Sequence, residues 1–313
     1  MARLNFQQIK TYPLKKRMSK VHKEFLASPM RKGASFGNFV DSLPDILAVK
    51  SLKSIAEAIC YARQKSKPVI FGVGAHVIKC GLGPILINLM KHQMISALAI
   101  NGATAIHDFE LAYLGETSED VDESLRDGRF GMVEETGRWM NEALQKGVVE
   151  GRGAGEALSR WISTDRHFRH RDISVLAQAH RFRIPVTIHI AIGTDIIHQH
   201  PSCRGDILGE ASFIDFRKLC AIVADLNGGG VYVNFGSTVI LPEVFLKALS
   251  TARNLKGSVK NFITANFDMI RHYRPSENVV RRPVLSGGKS FSVIGHHEIM
   301  LPLLAGIIHE IKR

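Results

Sequence analysis

Residues Lys67 to Thr117, KPVIFGVGAHVIKCGLGPILINLMKHQMISALAINGATAIHDFELAYLGET, limit the fold more than any other part of the chain. Val69-Ile70-Phe71 is a short apolar run suited to a strand buried on both faces. Gly72, Gly74, Gly81 and Gly83 follow directly, and Pro84 stands where a first helical turn tolerates proline. A helix over 84–92, a strand over 95–100 and a second small-residue turn, Asn101-Gly102-Ala103-Thr104, complete the pattern. A tight turn between a buried strand and a helix start exposes backbone N–H groups beside a positive dipole end, where nucleotide phosphates bind. The spacing is not the dinucleotide fingerprint G-x-G-x-x-G, because Val77 holds the third glycine position. Two readings stay open here: a nucleotide site, or a parallel-sheet protein using glycine for tight connections.

The alternation continues along the chain. Strands are expected at 186–192, 231–235 and 261–265, and helices at 52–65, 132–149, 173–180, 213–226, 242–254 and 299–311. Residues 115–132 are acidic and read as loop or short helix, 150–172 hold Gly151, Gly153 and Gly155 followed by a cluster of histidines and arginines with no element assigned, and 269–293 read as polar and loop-rich. This order predicts an α/β fold: a doubly wound parallel sheet, Rossmann-like, with helices on both faces and ligands at the carboxyl ends of the strands. Every expected strand closes on glycine, small polar or acidic residues: Gly72-Val73-Gly74, Asn101-Gly102, Gly193-Thr194-Asp195, Gly236-Ser237-Thr238 and Asn266-Phe267-Asp268. Such ends imply a polar crevice that a ligand approaches closely. Residues 1–45, broken by Pro13, Pro29, Gly33 and Pro44, form a basic, partly helical N-terminal extension to a single Rossmann-like domain over 46–313.

The formal net charge is +12, and residues 1–32 hold nine Lys/Arg against Glu24, or 9 − 1 = +8 of it. The arm lacks interleaved aromatics for stacking on bases, so a solvated arm is expected and nucleic acid is not. No apolar run is long enough to span a membrane, and the first residues lack an apolar signal core. Cys60, Cys80, Cys203 and Cys220 are scattered without a C-x-x-C, which fits a reducing cytoplasm. The His198-x-His200 pair has no carboxylate at ligand spacing, so no metal is expected. His189 alternates with apolar residues and reads as a core histidine. Ser237 lacks the G-x-S-x-G context of a hydrolase nucleophile, and neither Gly257-Ser258 nor Gly287-Gly288-Lys289 fits a P-loop.

The order of a glycine turn, a helix ending near Lys91-His92-Gln93-Met94, an Ile95-Ser96-Ala97-Leu98 strand, Asp108-Phe109 and Tyr113-Leu114-Gly115-Glu116 resembles deoxyhypusine synthase. The resemblance is best over 67–117 and traceable over 185–310. It implies NAD as cofactor, a homotetramer with sites shared between subunits, and hydride removal from the carbon beside an amine of spermidine. It places NAD-facing turns at Gly74-Ala75-His76 and Gly102-Ala103-Thr104, with Asp108 just beyond, Asp195 near the cofactor, and Gly236-Ser237 at the family's glycine triplet. The family's transfer lysine has Lys289 as its similar position, after Gly287-Gly288. The chain departs from the family after Ser237, where Ile240, Leu241, Pro242 and Glu243 replace a histidine pair. It also lacks the Gly-Ser-Asp-Ser-Gly loop and the Trp before the lysine. The implied function is therefore NAD-dependent transfer of an aminoalkyl group from a polyamine, with direct transfer to a small amine preferred over a lysine relay. The alternatives are a non-catalytic nucleotide-binding homologue and a sugar-phosphate isomerase-like enzyme.

Overall fold

A computed structural model describes residues 4–311. The chain divides into two units, Met1–Lys50 and Ser51–Arg313. In the first, single 3-10 turns at Phe6–Gln8, Leu14–Lys16 and Lys23–Phe25 punctuate extended chain. Helix α1 (Phe36–Ser42) follows, its first turn closed by reciprocal bonds between Ser35 and Asn38. Helix α2 (Leu47–Gln64) runs through the boundary.

The second unit is built on six strands: β1 (Val69–Val73), β2 (Ala97–Asn101), β3 (Val186–His189), β4 (Val231–Phe235), β5 (Phe262–Asp268) and β6 (Gly288–Ile294). All pairings are parallel, in the order β3-β2-β1-β4-β5-β6. The chain winds outward from β1 on one side and from β4 on the other, so the doubly wound sheet expected from the sequence is present. β1 and β4 are buried along their whole length, as runs such as VIFGV require in a sheet covered on both faces. Two short helices, α3 (Ala75–Lys79) and α4 (Gly83–Lys91), make the crossover from β1 to β2. α5 (Gly102–Leu114), α6 (Val121–Ser124), α7 (Glu134–Val149), α8 (Ala154–Thr164) and α9 (Val175–Arg181) lie between β2 and β3. α10 (Gly205–Ala224) precedes β4, α11 (Ile240–Lys256) follows it, and α12 (Tyr273–Pro275) runs into a π turn before β6. α13 (His297–Ile311) closes the described chain. One core joins Ile70, Ala97 and Tyr232 of the sheet to Leu219 and Val223 of α10 and Phe245 and Leu249 of α11. The Tyr232 and Phe245 rings stack 3.7 Å apart.

Three details differ from expectation. The segment 150–172 contains α8, and 269–293 contains α12, the π turn and β6. The strand expected to reach Ile192 stops at His189, where the backbone turns toward Gly193. Among the described residues, no helix is long and apolar enough to cross a membrane, and no group of three potential metal ligands is assembled.

Candidate functional site

In a doubly wound sheet the carboxyl ends of the strands leave a crevice where the winding reverses. Here that point lies between β1 and β4. The Gly74 N–H donates to the Phe235 carbonyl at 2.9 Å, and a Cβ on Gly74 would stand 2.1 Å from the Gly236 carbonyl oxygen. Gly236 is left-handed (φ +67°), and a Cβ there would stand 2.8 Å from Nε2 of His297. The two turns therefore interlock, and only glycine fits at either position. The ring of His297, the first residue of α13, lies 5.6 Å from that of Phe235 and 5.7 Å from that of His76 in α3. The start of α11 is held to the same turn, because Ser237 Oγ accepts the Leu241 N–H at 3.2 Å. Helices of 17 and 15 residues, α11 and α13, thus bring their positive ends to one strand edge.

Below this edge the polar side chains are buried. Asn234 donates through Nδ2 to the Ser237 carbonyl (2.8 Å) and to Oδ1 of Asn266 (2.7 Å). Asp268 Oδ1 accepts the Met269 N–H at 2.8 Å, while Asp268 Oδ2 and His297 Nδ1 are buried without a hydrogen-bond partner. Burial holds His297 below its ordinary pKa, against the pull of the Asp268 carboxylate.

The β2–β3 side has a different character. Asn101 Oδ1 accepts both the Thr104 N–H (3.0 Å) and the Thr104 hydroxyl (2.5 Å), and Thr104 Oγ1 also bonds the Val73 carbonyl. The N-terminus of α5 is met by a carboxylate of the chain itself. A Cβ on Gly102 would stand 1.9 Å from Asp195 Oδ2, and the Ala103 N–H donates to Asp195. Burial pushes the Asp195 pKa up to about 6. Behind it, His198 Nδ1 accepts the N–H groups of Gly193 (3.0 Å) and Asp195 (3.2 Å), so neutral His198 carries its proton on Nε2, 3.8 Å from Asp195 Oδ2. A phosphate would be repelled here. A hydroxyl, an amide or a cation would be accepted.

A cavity of about 230 Å³ opens beside Ala103 and Asp195. Ile106, Val121, Phe130 and Val133 give it apolar walls, and Glu110, Glu119, Lys79 and His107 supply its polar groups. Glu110 is fixed by two hydroxyls: Thr117 donates to Oε2 (2.6 Å) and Thr136 to Oε1 (3.2 Å). His107 Nδ1 lies 2.7 Å from the Thr117 hydroxyl, and burial together with Lys79 holds His107 down to about 4, so it is neutral at pH 7. A larger cavity, about 370 Å³, lies between α7 and α8. No strand end contributes to it, and two of its three cations, Arg152 and Arg160, pair with Glu150.

The structure brings Gly74, Ala75, His76, Gly102, Ala103, Thr104, Asp195, Gly236 and Ser237 to the carboxyl edge of the sheet. Two other residues singled out in the sequence lie elsewhere. Asp108 accepts from Ser174 Oγ (2.6 Å) and from the N–H groups of Val175 (2.6 Å) and Leu176 (3.0 Å), so its buried carboxylate caps α9 and faces no crevice. Lys289 is level with Ile263 at the start of β6, the amino edge of the sheet. Ile294, at the carboxyl end, is five residues on, roughly 16 Å at the rise of a strand. Gly287 and Gly288 serve the β5–β6 junction instead, since their Cβ positions fall on Asn261 Oδ1 (2.5 Å) and the Phe262 carbonyl (2.1 Å). Within one chain, Lys289 and the crevice are not brought together. Sequence reasoning named Asp268 only within a strand-closing turn and His297 only as one of a histidine pair, and it gave no role to His107 or Glu110. Asp268 and His297 had a signal, in a strand-end Asp and a histidine pair opening a helix. Glu110 and His107 had none beyond their place on α5.

No protein-family model matches the chain, and no curated protein matches it by sequence. Solved structures match its fold. A provisional deoxyhypusine synthase from Entamoeba histolytica superposes with a TM-score of 0.54 at 10% identity, covering 92% of this chain and 97% of that one. A provisional LOR/SDH protein from Methanococcus maripaludis S2 gives 0.55 at 15% identity, covering 86% and 72%. AgrE in its ternary complex with ornithine and NAD+ gives 0.52 at 16% identity, covering 83% of this chain. This chain spans about a third of the AgrE polypeptide, 33% of its length. The fold is that of the deoxyhypusine synthase-like structures.

Proposed function

We propose that this chain is an NAD-dependent enzyme that removes hydride from the carbon beside a nitrogen of a small cationic amine. The observation that carries this is the cavity beside the α5 N-terminus, where Glu110, Glu119 and Asp195 outnumber Lys79 and His107 is neutral. A carboxylate-rich pocket with apolar walls suits alkylammonium groups and disfavours a sugar phosphate.

The crevice fits the cofactor in two parts. The glycine-only contact of Gly74 with Gly236, under the starts of α11 and α13, suits the pyrophosphate. The Asp195 carboxylate suits ribose hydroxyls or a carboxamide, with Ala103 and Gly102 allowing close approach. NAD, when bound, supplies the hydride acceptor. Asp195, held near pH 6, takes the proton that a substrate ammonium must lose before hydride can leave, and Glu110 holds a second cationic group. The iminium so formed has lost one proton and one hydride; a second amine adds at its carbon, the original C–N bond breaks as the first amine leaves with a proton, and the stored hydride would return to the new iminium to complete the transfer. In this reading the donor is a polyamine such as spermidine, and the acceptor is a small amine. No enzyme lysine takes part.

The likeness to AgrE with ornithine and NAD+ supports a second substrate, an α,ω-diamino acid, oxidised at its α-carbon by the same step. The test is calorimetry with NAD, followed by NADH formation with spermidine, putrescine and ornithine in turn. NAD binding with NADH formation from one amine is the expected result. NAD binding without turnover on any amine would leave a nucleotide-binding homologue. The absence of NAD binding would remove the proposal.

A further inference from the structure

Residues 4–30 leave an unusual amount of apolar surface in water. Leu4 is 84% exposed, Phe6 75%, Tyr12 67%, Leu14 70% and Met18 97%. Single exposed apolar residues are ordinary, but a run of them marks an interaction surface. The backbone around them is extended, with ψ near +123° at Ile9, +129° at Arg17 and +144° at Leu26. Side chains on such a segment cannot cover one another as they would in a helix hairpin. Lys10, Lys15, Lys16, Arg17, Lys20 and Lys23 make the segment strongly basic, with Glu24 its one acid.

The matching surface is present on the same chain. Residues 114–133 hold Glu116, Glu119, Asp120, Asp122, Glu123 and Asp127 against Arg126 and Arg129, or 6 − 2 = four net negative charges. Leu114, Val121, Leu125 and Met132 stand exposed among them, at 63%, 43%, 64% and 53%. The chain thus carries a basic, apolar arm and an acidic, apolar face.

We propose that the arm of one copy lies across the 114–133 face of a second copy, its apolar side chains covered there and its cations set against those carboxylates. Two copies that each give an arm and receive one form a closed two-fold dimer, which covers both apolar sets at once. A membrane surface or an RNA strand would cover the arm and leave the acidic, apolar face in water. The arm also lacks the amphipathic helix that membrane surfaces favour.

The experiment uses full-length chains and sedimentation velocity. Variant one carries Lys15→Glu, Lys16→Glu and Arg17→Glu; variant two carries Asp120→Lys, Asp122→Lys and Glu123→Lys. All six positions are exposed, so both variants should keep the unmodified melting temperature to within a few degrees. The unmodified chain is expected to self-associate, more weakly as salt rises, and each variant alone to lose about tenfold or more in dimer affinity. An equimolar mixture of the two should regain the dimer, because each reversed arm meets a reversed face. A monomeric unmodified chain would overturn the proposal, as would a dimer indifferent to both variants. So would variants rescued only when all six changes sit in one chain, which would mean that the arm folds onto its own copy. Arm-dependent binding to anionic vesicles or RNA, with self-association unchanged, would assign the arm to that partner instead.

Discussion

Asp195 carries two opposed demands. Its carboxyl is held at about 6, above the ordinary aspartate value of 3.8, because it is buried. The folded chain therefore binds this proton more tightly than the unfolded chain does. Folding takes up a proton between about pH 4 and pH 6, and stability falls as pH rises through that window. Asp195→Asn should remove this contribution, keep the Ala103 bond through Oδ1, and raise stability above pH 6 by about 2 kcal/mol, a few degrees of melting temperature. Turnover should be lost with it. Thermal melts at pH 4 and pH 8 check the first expectation, and NADH formation checks the second. An equal change at both pH values would show that ionisation is not the cause. Gly102→Ala acts on the same carboxylate from the other side. A Cβ 1.9 Å from Asp195 Oδ2 must push it off the α5 N-terminus, so NAD affinity should fall by about 1–3 kcal/mol. Calorimetry on the folded variant reads this directly, and an unchanged affinity would remove α5 from the cofactor site.

At the level of elements, the readable strands were those with an apolar run and a glycine or acidic end. β1, β2, β4 and β5 are buried almost throughout, and burial on both faces leaves a plain signature in sequence. β6 left none. GKSFSVI is an edge strand, mostly exposed or half-buried, with a single buried residue, Val293. α8 was hidden by its glycines. Gly155 is there because a Cβ would stand 2.0 Å from the Val186 carbonyl, and Asp215 bonds the N–H groups of Gly155 and Ile188 to tie α8 to β3. Such a glycine looks like a loop residue until its tertiary neighbour is known. The strand-end turns of the candidate site were legible for the same reason as the strands. The lining of its cavity was not, since Glu110 and Thr117 meet only through the path of the segment after α5. Placing β6 also fixes what to expect of Lys289. With its Cα at the amino edge of the sheet, Lys289→Ala should leave hydride removal from the amine within about twofold of the unmodified chain. A loss of tenfold or more in NADH formation would require that residue to reach a crevice other than that of its own chain.

For the whole molecule, the strand-end turns and the basic arm belong to different units of the chain. The arm-reversed variant should therefore bind NAD with unchanged affinity at saturating protein concentration, and calorimetry would reveal any dependence. The order of the strands has a consequence of another kind. β1 pairs with β4, and Val69 and Val231 lie 231 − 69 = 162 residues apart. During synthesis β1, β2 and β3 can pair in sequence, but one side of β1 stays bare until β4 leaves the ribosome. At about 5–20 residues per second, that is a wait of roughly 8–32 s. A central, wholly apolar strand with open N–H and C=O groups is a template for any other extended chain. The nascent polypeptide passes its most aggregation-prone interval before the second half of the sheet exists, so its yield in a cell should depend on chaperone supply more than the stability of the finished fold would suggest.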